Sequence, residues 1–271
     1  MKVILSRKGF DDKYGEMPSL IMPNGELVSL PIPEANTGIK YNALTYNGDT
    51  FKKILEDLGY KYKDEKTGNV VWDCHLDPDI FPYNTKVPEW QALFGQSDAA
   101  AGHLINECVK KGDLFIFFGT FRKVEKNLDG KYYYVKPKKE MHLVYGYFQI
   151  EDMAVKDEVK KFHWHPHSTT YYLNKPNNII LIPAKNLEGT NFPGYGVLKF
   201  SEELVLTNSN MTKSKWKPDH ILTTKDKMTY NPNAKKGTYF QSSPIGQEFV
   251  ISDEFNSNED VRQWLIGLLN K

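Results

Sequence analysis

The segment Gly112-Asp113-Leu114-Phe115-Ile116-Phe117-Phe118-Gly119 constrains the fold most. Its unbroken apolar and aromatic stretch, bounded by glycines, is too short for a buried helix and reads as a buried strand. The residues after it extend a sheet. A hairpin with a polar tip at Asn127–Gly130 returns through Tyr132–Val135, and Met141–Ile150 forms the next strand. Strand alternation puts His142, Val144, Gly146, Phe148 and Ile150 on one side of it, and Leu143, Tyr145, Tyr147 and Gln149 on the other. Further strands are expected at Val3–Ser6, Ile179–Ile182, Val197–Phe200, Glu203–Leu206 and Phe249–Ile251, with hairpins about Asn24-Gly25 and Thr67-Gly68-Asn69.

Helices are fewer. One is expected over Phe51–Leu58, capped by Asp49 or Thr50 and stopped by Gly59. A second runs from Ser97 or Asp98 through Lys110, with Ala101, Leu104, Ile105 and Cys108 on one face, and a third covers Glu259–Leu269. Strands outnumber helices and lie in runs. The expected class is therefore α+β: a mixed, mainly antiparallel sheet or a partly closed β-barrel with flanking helices, not a doubly wound fold. A length of 271 residues with no repeat or linker fits one large domain or two intimately packed ones.

Charge and cysteine usage exclude several classes. Thirty-five basic against 34 acidic residues give a net charge of +1, too little for a protein that coats nucleic acid through a wide basic face. Cys74 and Cys108 cannot build a disulfide framework, and they are too few for a structural zinc site without histidine help. No apolar run is long enough to span a bilayer, and the N-terminal segment turns charged too soon for a signal peptide, so a cytoplasmic protein is expected. Only three basic residues are arginines: Arg7, Arg122 and Arg262. The planar guanidinium recognises phosphates and base edges as lysine cannot, which draws notice to Arg7 and Arg122 at their strand ends.

Four constellations could carry chemistry. Ser6-Arg7-Lys8-Gly9-Phe10-Asp11 follows the first strand directly and suits an anion grip built from Arg7, Lys8 and backbone amides. His75-Leu76-Asp77-Pro78-Asp79 could pair an imidazole with carboxylates for proton transfer, ligate a divalent metal, or form a solvated loop. In His163-Trp164-His165-Pro166-His167 the alternating imidazoles would converge on a strand, but Pro166 interrupts one; a structural loop or base or phosphate contact outweighs ligation, and no metal is assigned. Gly246-Gln247-Glu248 opens a late strand, where Glu248 would act as a general base or pair with Arg7.

Two resemblances follow from these residues. The order of a helix, the Gly112-Asp113 strand and the strand ending Tyr145–Ile150 resembles the PUA-like and EVE-like β-barrels over about residues 90–151. That resemblance implies a pocket for an extruded base, with Phe94, Phe118, Phe121 and Trp164 to sandwich it and Arg122 to grip its edge or backbone. Over essentially the whole chain, Val3–Asp11, Leu30–Pro33, His75–Asp79, Phe94-Gly95-Gln96 through His103-Leu104, Gly112–Gly119 with Phe121-Arg122, and Gly246–Val250 together resemble the nucleotide modification associated domain of the third type, a family spread among bacteria and phages. The chain departs from the pattern at Phe94–Asp98 and at Thr120, which bears on pocket shape.

The family resemblance implies a single unit spanning 1–271 and one pocket holding Arg7, Lys8, Asp11, His75, Asp77, Asp79, Gln96, His103, Arg122, His165 and Glu248. The leading expectation is an enzyme acting on a nucleotide or modified DNA base. In it Arg7 and Lys8 hold phosphate, Arg122 and Gln96 orient the base, and His75 with Asp77 or Glu248 moves a proton. The alternatives are a non-catalytic reader of modified bases, or a sensor of a small soluble nucleotide. No cofactor or oligomeric state is assigned.

Overall fold

The computed structural model describes all residues except 36, 82–86, 138, 226–227, 230–236, 243–247 and 253–257. Gly246 and Gln247 therefore lie outside the described residues. The expected buried strand is the centre of the sheet and longer than anticipated. It runs from Leu114 to Lys126, because Phe121 and Val124 keep supplying buried side chains beyond Gly119. Its long neighbour Met141–Val155 pairs with it antiparallel, and the register slips between Val144 and Gly146.

Among the described residues ten strands form one sheet. Its main path runs Glu248–Ile251, Val3–Arg7, Leu114–Lys126, Met141–Val155, Ile179–Pro183, Phe94–Gln96. Val3–Arg7 lies parallel to Leu114–Phe118; every other step along that path is antiparallel. The sheet curls into an open, mostly antiparallel half-barrel of α+β class. Its two outer strands approach each other, and Gln96 Nε2 on one donates to Glu248 Oε1 on the other at 2.9 Å. Phe94, from the last strand on the path, sets its ring edge-on against Phe115 and Phe117, filling the space inside the curl. A second apolar cluster, including Phe10, Tyr41, Phe51, Ile54 and Tyr60, packs the N-terminal loops and the helix Phe51–Asp57 beside it.

Helix boundaries follow local chemistry. Thr50 caps Phe51–Asp57 by accepting from Lys53 N, and Gly59 takes the left-handed conformation that ends it. Glu259–Leu269 forms as expected. The helix after Ser97 stops at Asn106, short of Lys110, because Cys108 adopts φ of 51° and Val109 N turns back to Leu104 O. Its buried face is Ala101 and Leu104, so Ile105 and Cys108, expected on that face, are exposed. Glu203–Leu206 is not a strand. Glu202–Leu204 forms a 3-10 turn, and the segment meets the sheet through a single bridge, Leu143 with Val205. The strand expected over Val197–Phe200 lies instead at Tyr195–Val197. No helix among the described residues is long and apolar enough to cross a membrane.

Candidate functional site

The first strand is buried along its whole length, since it has a partner on either side. It ends at Arg7, where the chain leaves the sheet and turns at Gly9, whose φ of +80° suits glycine. Asp11 closes that turn. Its Oδ1 accepts from Lys13 N and Tyr14 N at 2.8 and 2.7 Å, and its Oδ2 stands 3.6 Å from the Arg7 guanidinium. Burial pulls the Arg7 pKa below its ordinary value against the opposing pull of Asp11 and Asp12. Lys8 lies over the Phe94 ring at 4.8 Å, its Nζ 3.2 Å from Glu248 Oε1.

These groups form one wall of a cavity of about 430 Å³. The rest of the lining comes from far along the chain. His75 is placed by a two-residue strand paired with Ile32–Pro33, Gln96 and Ser97 by the outer strand and its helix cap, His167 by the short turn Pro166–Ser168, and Tyr172 by the helix Thr170–Leu173. Asp77 sits between the two imidazoles, its Oδ2 3.8 Å from His75 Nε2 and 3.6 Å from His167 Nε2. Its Oδ1 accepts from Gly95 N at 2.8 Å. The ligand-capable atoms of His75, Asp77 and His167 all lie within 4.8 Å of one another, so these three side chains could hold a metal ion.

Hydrogen bonds behind the cavity wall fix the imidazoles. His75 Nδ1 is 2.5 Å from Glu34 Oε2, and the Tyr172 hydroxyl donates to both Glu34 oxygens at 2.9 Å. His167 Nδ1 is 2.7 Å from Asn178 Oδ1, and its ring stacks on Tyr172 with centroids 4.2 Å apart. Burial opposes the charge on Asp77, but the nearby His167 ring, with His75 and Lys8, outweighs it and sets the carboxyl at about 2. Burial lowers the His167 pKa. At neutral pH the cluster is therefore a carboxylate between imidazoles, at least one of them neutral.

The structure thus gathers Arg7, Lys8, Asp11, His75, Asp77 and Gln96 around one cavity. Glu248 lies one contact behind it, accepting from Ser6 Oγ at 3.1 Å and from Gln96, and pairing with Lys8. Other expected members are elsewhere. Asp79 turns away, taking Trp90 Nε1 at 2.8 Å and bridging to Leu93. His103 meets Thr229 Oγ1 at 3.0 Å from the second helix. His165 is buried behind His167, its Nδ1 accepting from His167 N, and His163 is exposed because the segment is a turn, not a strand. Arg122 donates to Val135 O at 2.9 Å and lines a different cavity with Lys123, Lys136 and Lys139.

The rings expected to sandwich a base are also corrected. Phe94, Phe118 and Phe121 are interior side chains, and Phe118 packs edge-on against Trp216. Trp164 is half-buried against Phe162 and outside the cavity lining. Sequence reasoning missed Glu34, Tyr172 and Asn178, and it gave His167 no separate role. Of these only Glu34, directly after Leu30–Pro33, stood beside a quoted motif. A larger cavity of about 670 Å³ shares Glu34 and Tyr172 with the site but gathers none of the expected residues.

Fold and cavity together define a half-barrel protein with a polar pocket where its outer strands meet, cationic on one side and imidazole–carboxylate on the other. The chain matches nucleotide modification associated domain 3 over residues 2–252 and belongs to that family. Comparison with curated proteins and with solved structures finds no match.

Proposed function

We propose that the chain is an enzyme that modifies a nucleotide or nucleobase held in the cavity between Arg7-Lys8 and His75–Asp77–His167. The observation that carries this reading is the convergence itself: a phosphate-capable pair of cations and an acid–base cluster face one cavity of about 430 Å³. That volume is within the roughly 300–1,000 Å³ usual for small-ligand sites. Arg7 offers a planar fork and Lys8 a point charge to a phosphate. Gln96, its amide nitrogen held by Glu248, leaves its carbonyl to meet a base edge. His75, oriented by Glu34 and close to Asp77, stands where a proton would be exchanged in the ion-free site. Membership of a nucleotide-modification family supports the ligand class.

The test has two arms. Calorimetry with nucleosides and the matching mono- and diphosphates should show a phosphate-dependent gain in affinity that Arg7→Met with Lys8→Met removes. Mass spectrometry of nucleotides and modified DNA incubated with the protein should show a mass-shifted product, lost in His75→Gln. No phosphate-dependent binding and no product from any substrate would overturn the reading.

A further inference from the structure

Asn178 grips His167 at two points. Its Nδ2 donates to the His167 carbonyl at 2.9 Å, and its Oδ1 lies 2.7 Å from His167 Nδ1. The first bond fixes the amide's orientation, so Oδ1 accepts, Nδ1 carries the proton and Nε2 presents a lone pair. His75 is set the same way. Glu34 Oε2, 2.5 Å from Nδ1, accepts as a carboxylate, and the Tyr172 hydroxyl, also 2.9 Å from Nδ1, turns its proton to Glu34, so in the neutral ring Nδ1 carries the proton and Nε2 is bare.

Both bare nitrogens look at one oxygen, Asp77 Oδ2, while Oδ1 is occupied by Gly95 N–H. His75 is 4 % exposed, and its buried Nε2 has no hydrogen-bond partner. With both rings neutral, three acceptor atoms therefore converge with no donor between them, an arrangement relieved by a proton on one ring or by a cation at the centre.

We propose that His75, Asp77 and His167 bind one divalent transition-metal ion, with Glu34 and Asn178 holding the imidazoles in place. Two imidazoles and one carboxylate form a donor set that suits a first-row ion and leaves coordination positions open. Partners on the far ring nitrogens are how such imidazoles are aimed. Metal–ligand bonds of roughly 2.0–2.2 Å put neighbouring ligand atoms about 3.0–3.5 Å apart. The observed 3.6 and 3.8 Å to Asp77 need only a slight closure, and the two imidazole nitrogens, within 4.8 Å of each other, need to draw together as the ion binds. The cavity that contains Arg7 and Lys8 borders all three ligands. An anion held by those cations would reach the open positions; that clause alone rests on the nucleotide reading.

The test uses metal alone. Chelator-stripped full-length protein is titrated with Co(II) and with Zn(II), without nucleotide, by calorimetry, cobalt absorption and thermal melting. One equivalent should bind per chain and raise the melting temperature. Asp77→Asn and His167→Gln should bind none, and Asn178→Ala, which leaves every ligand in place, should bind roughly 10–100-fold more weakly. Circular dichroism checks that each variant is folded; should the ligand variants fail to fold, Asn178→Ala carries the test. A folded wild-type chain that takes up neither ion, or one that binds as tightly after Asn178→Ala, overturns the proposal. Metal uptake without nucleotide binding would spare it while sinking the nucleotide reading, and the reverse result would do the opposite.

Discussion

Gly95→Ala tests the site through its tightest packing contact. A Cβ at residue 95 would stand 2.3 Å from His167 Cδ2, 2.6 Å from Cγ and 2.7 Å from Nε2. Carbon atoms pack at about 3.5–4.0 Å, so ring and backbone would have to separate by more than about 1 Å. Neither yields readily. Asn178 ties the ring at one edge and Tyr172 stacks on it. Residue 95 sits in a strand paired with Ile179–Leu181, its N–H bound to Asp77. Overpacking of this kind costs about 1–3 kcal/mol. A displacement near 1 Å also costs about 10²-fold in rate where a positioned group does chemistry. Urea unfolding should therefore show a loss of about 1–3 kcal/mol at unchanged m-value, and the His167 ring resonances should move. Stability within about 0.5 kcal/mol of wild type, with those resonances unshifted, would refute the reasoning, since the ring would then have room to give way.

Gly267→Ala should do the reverse. Nothing lies within 4 Å of a Cβ there, the position is exposed within Glu259–Leu269, and denaturant unfolding should show a gain of about 0.5–1 kcal/mol. His220 gives a pH signature. Burial, opposed by its bond to the Glu203 carbonyl and by Asp219 and reinforced by Lys217, lowers its pKa to about 4. The unfolded imidazole protonates near 6.5, so stability present above that pH is lost as pH falls from about 6.5 to about 4, by about 3 kcal/mol in full. Unfolding of His220→Gln across that window should be correspondingly less pH-dependent; parallel curves would contradict this. Arg122→Met should cost roughly 1–3 kcal/mol through its lost backbone bonds, yet leave nucleotide affinity unchanged, whereas Arg7→Met should weaken it. Equal effects on affinity would contradict the assignment of the two arginines to separate cavities.

Much of the fold was legible because period and punctuation agree in the sequence. Glu259–Leu269 has acidic residues in its first turn and an apolar stripe, and the helix forms over those residues. The second helix was overextended because a left-handed Cys108 carries no glycine to announce it. The misplacements of Phe118 and Arg122 share one cause. With the central strand ended at Gly119, Phe118 and Arg122 stood at a mouth. The strand continues to Lys126, so Phe118 is a mid-strand core residue and Arg122 is carried past the cavity. Arg7, Lys8, His75 and Asp77 were legible because each sits where a strand ends in a turn. Glu34, Tyr172 and Asn178 were not, since their meaning lies in which imidazole each touches, and no local pattern records that.

The same geometry redefines Glu248, expected as a general base. The outer strands Glu248–Ile251 and Phe94–Gln96 share no ladder register, so their approach is sealed by side chains. A buried carboxylate at that seam is tolerable only with partners, and Glu248 Oε1 has Ser6, Gln96 and Lys8 around it. Two of those contacts also aim something: Gln96 and Lys8 both line the cavity, and Glu248 does not. On the proposed reading Glu248 would be a positioning residue, converting closure of the half-barrel into the placement of one amide and one cation. The imidazole–carboxylate cluster across the cavity is where a proton or a metal ion would be handled. On this argument Glu248→Gln, which can keep the contact with Ser6 but not the charge pairing with Lys8, would weaken phosphate binding while leaving metal uptake at His75, Asp77 and His167 intact.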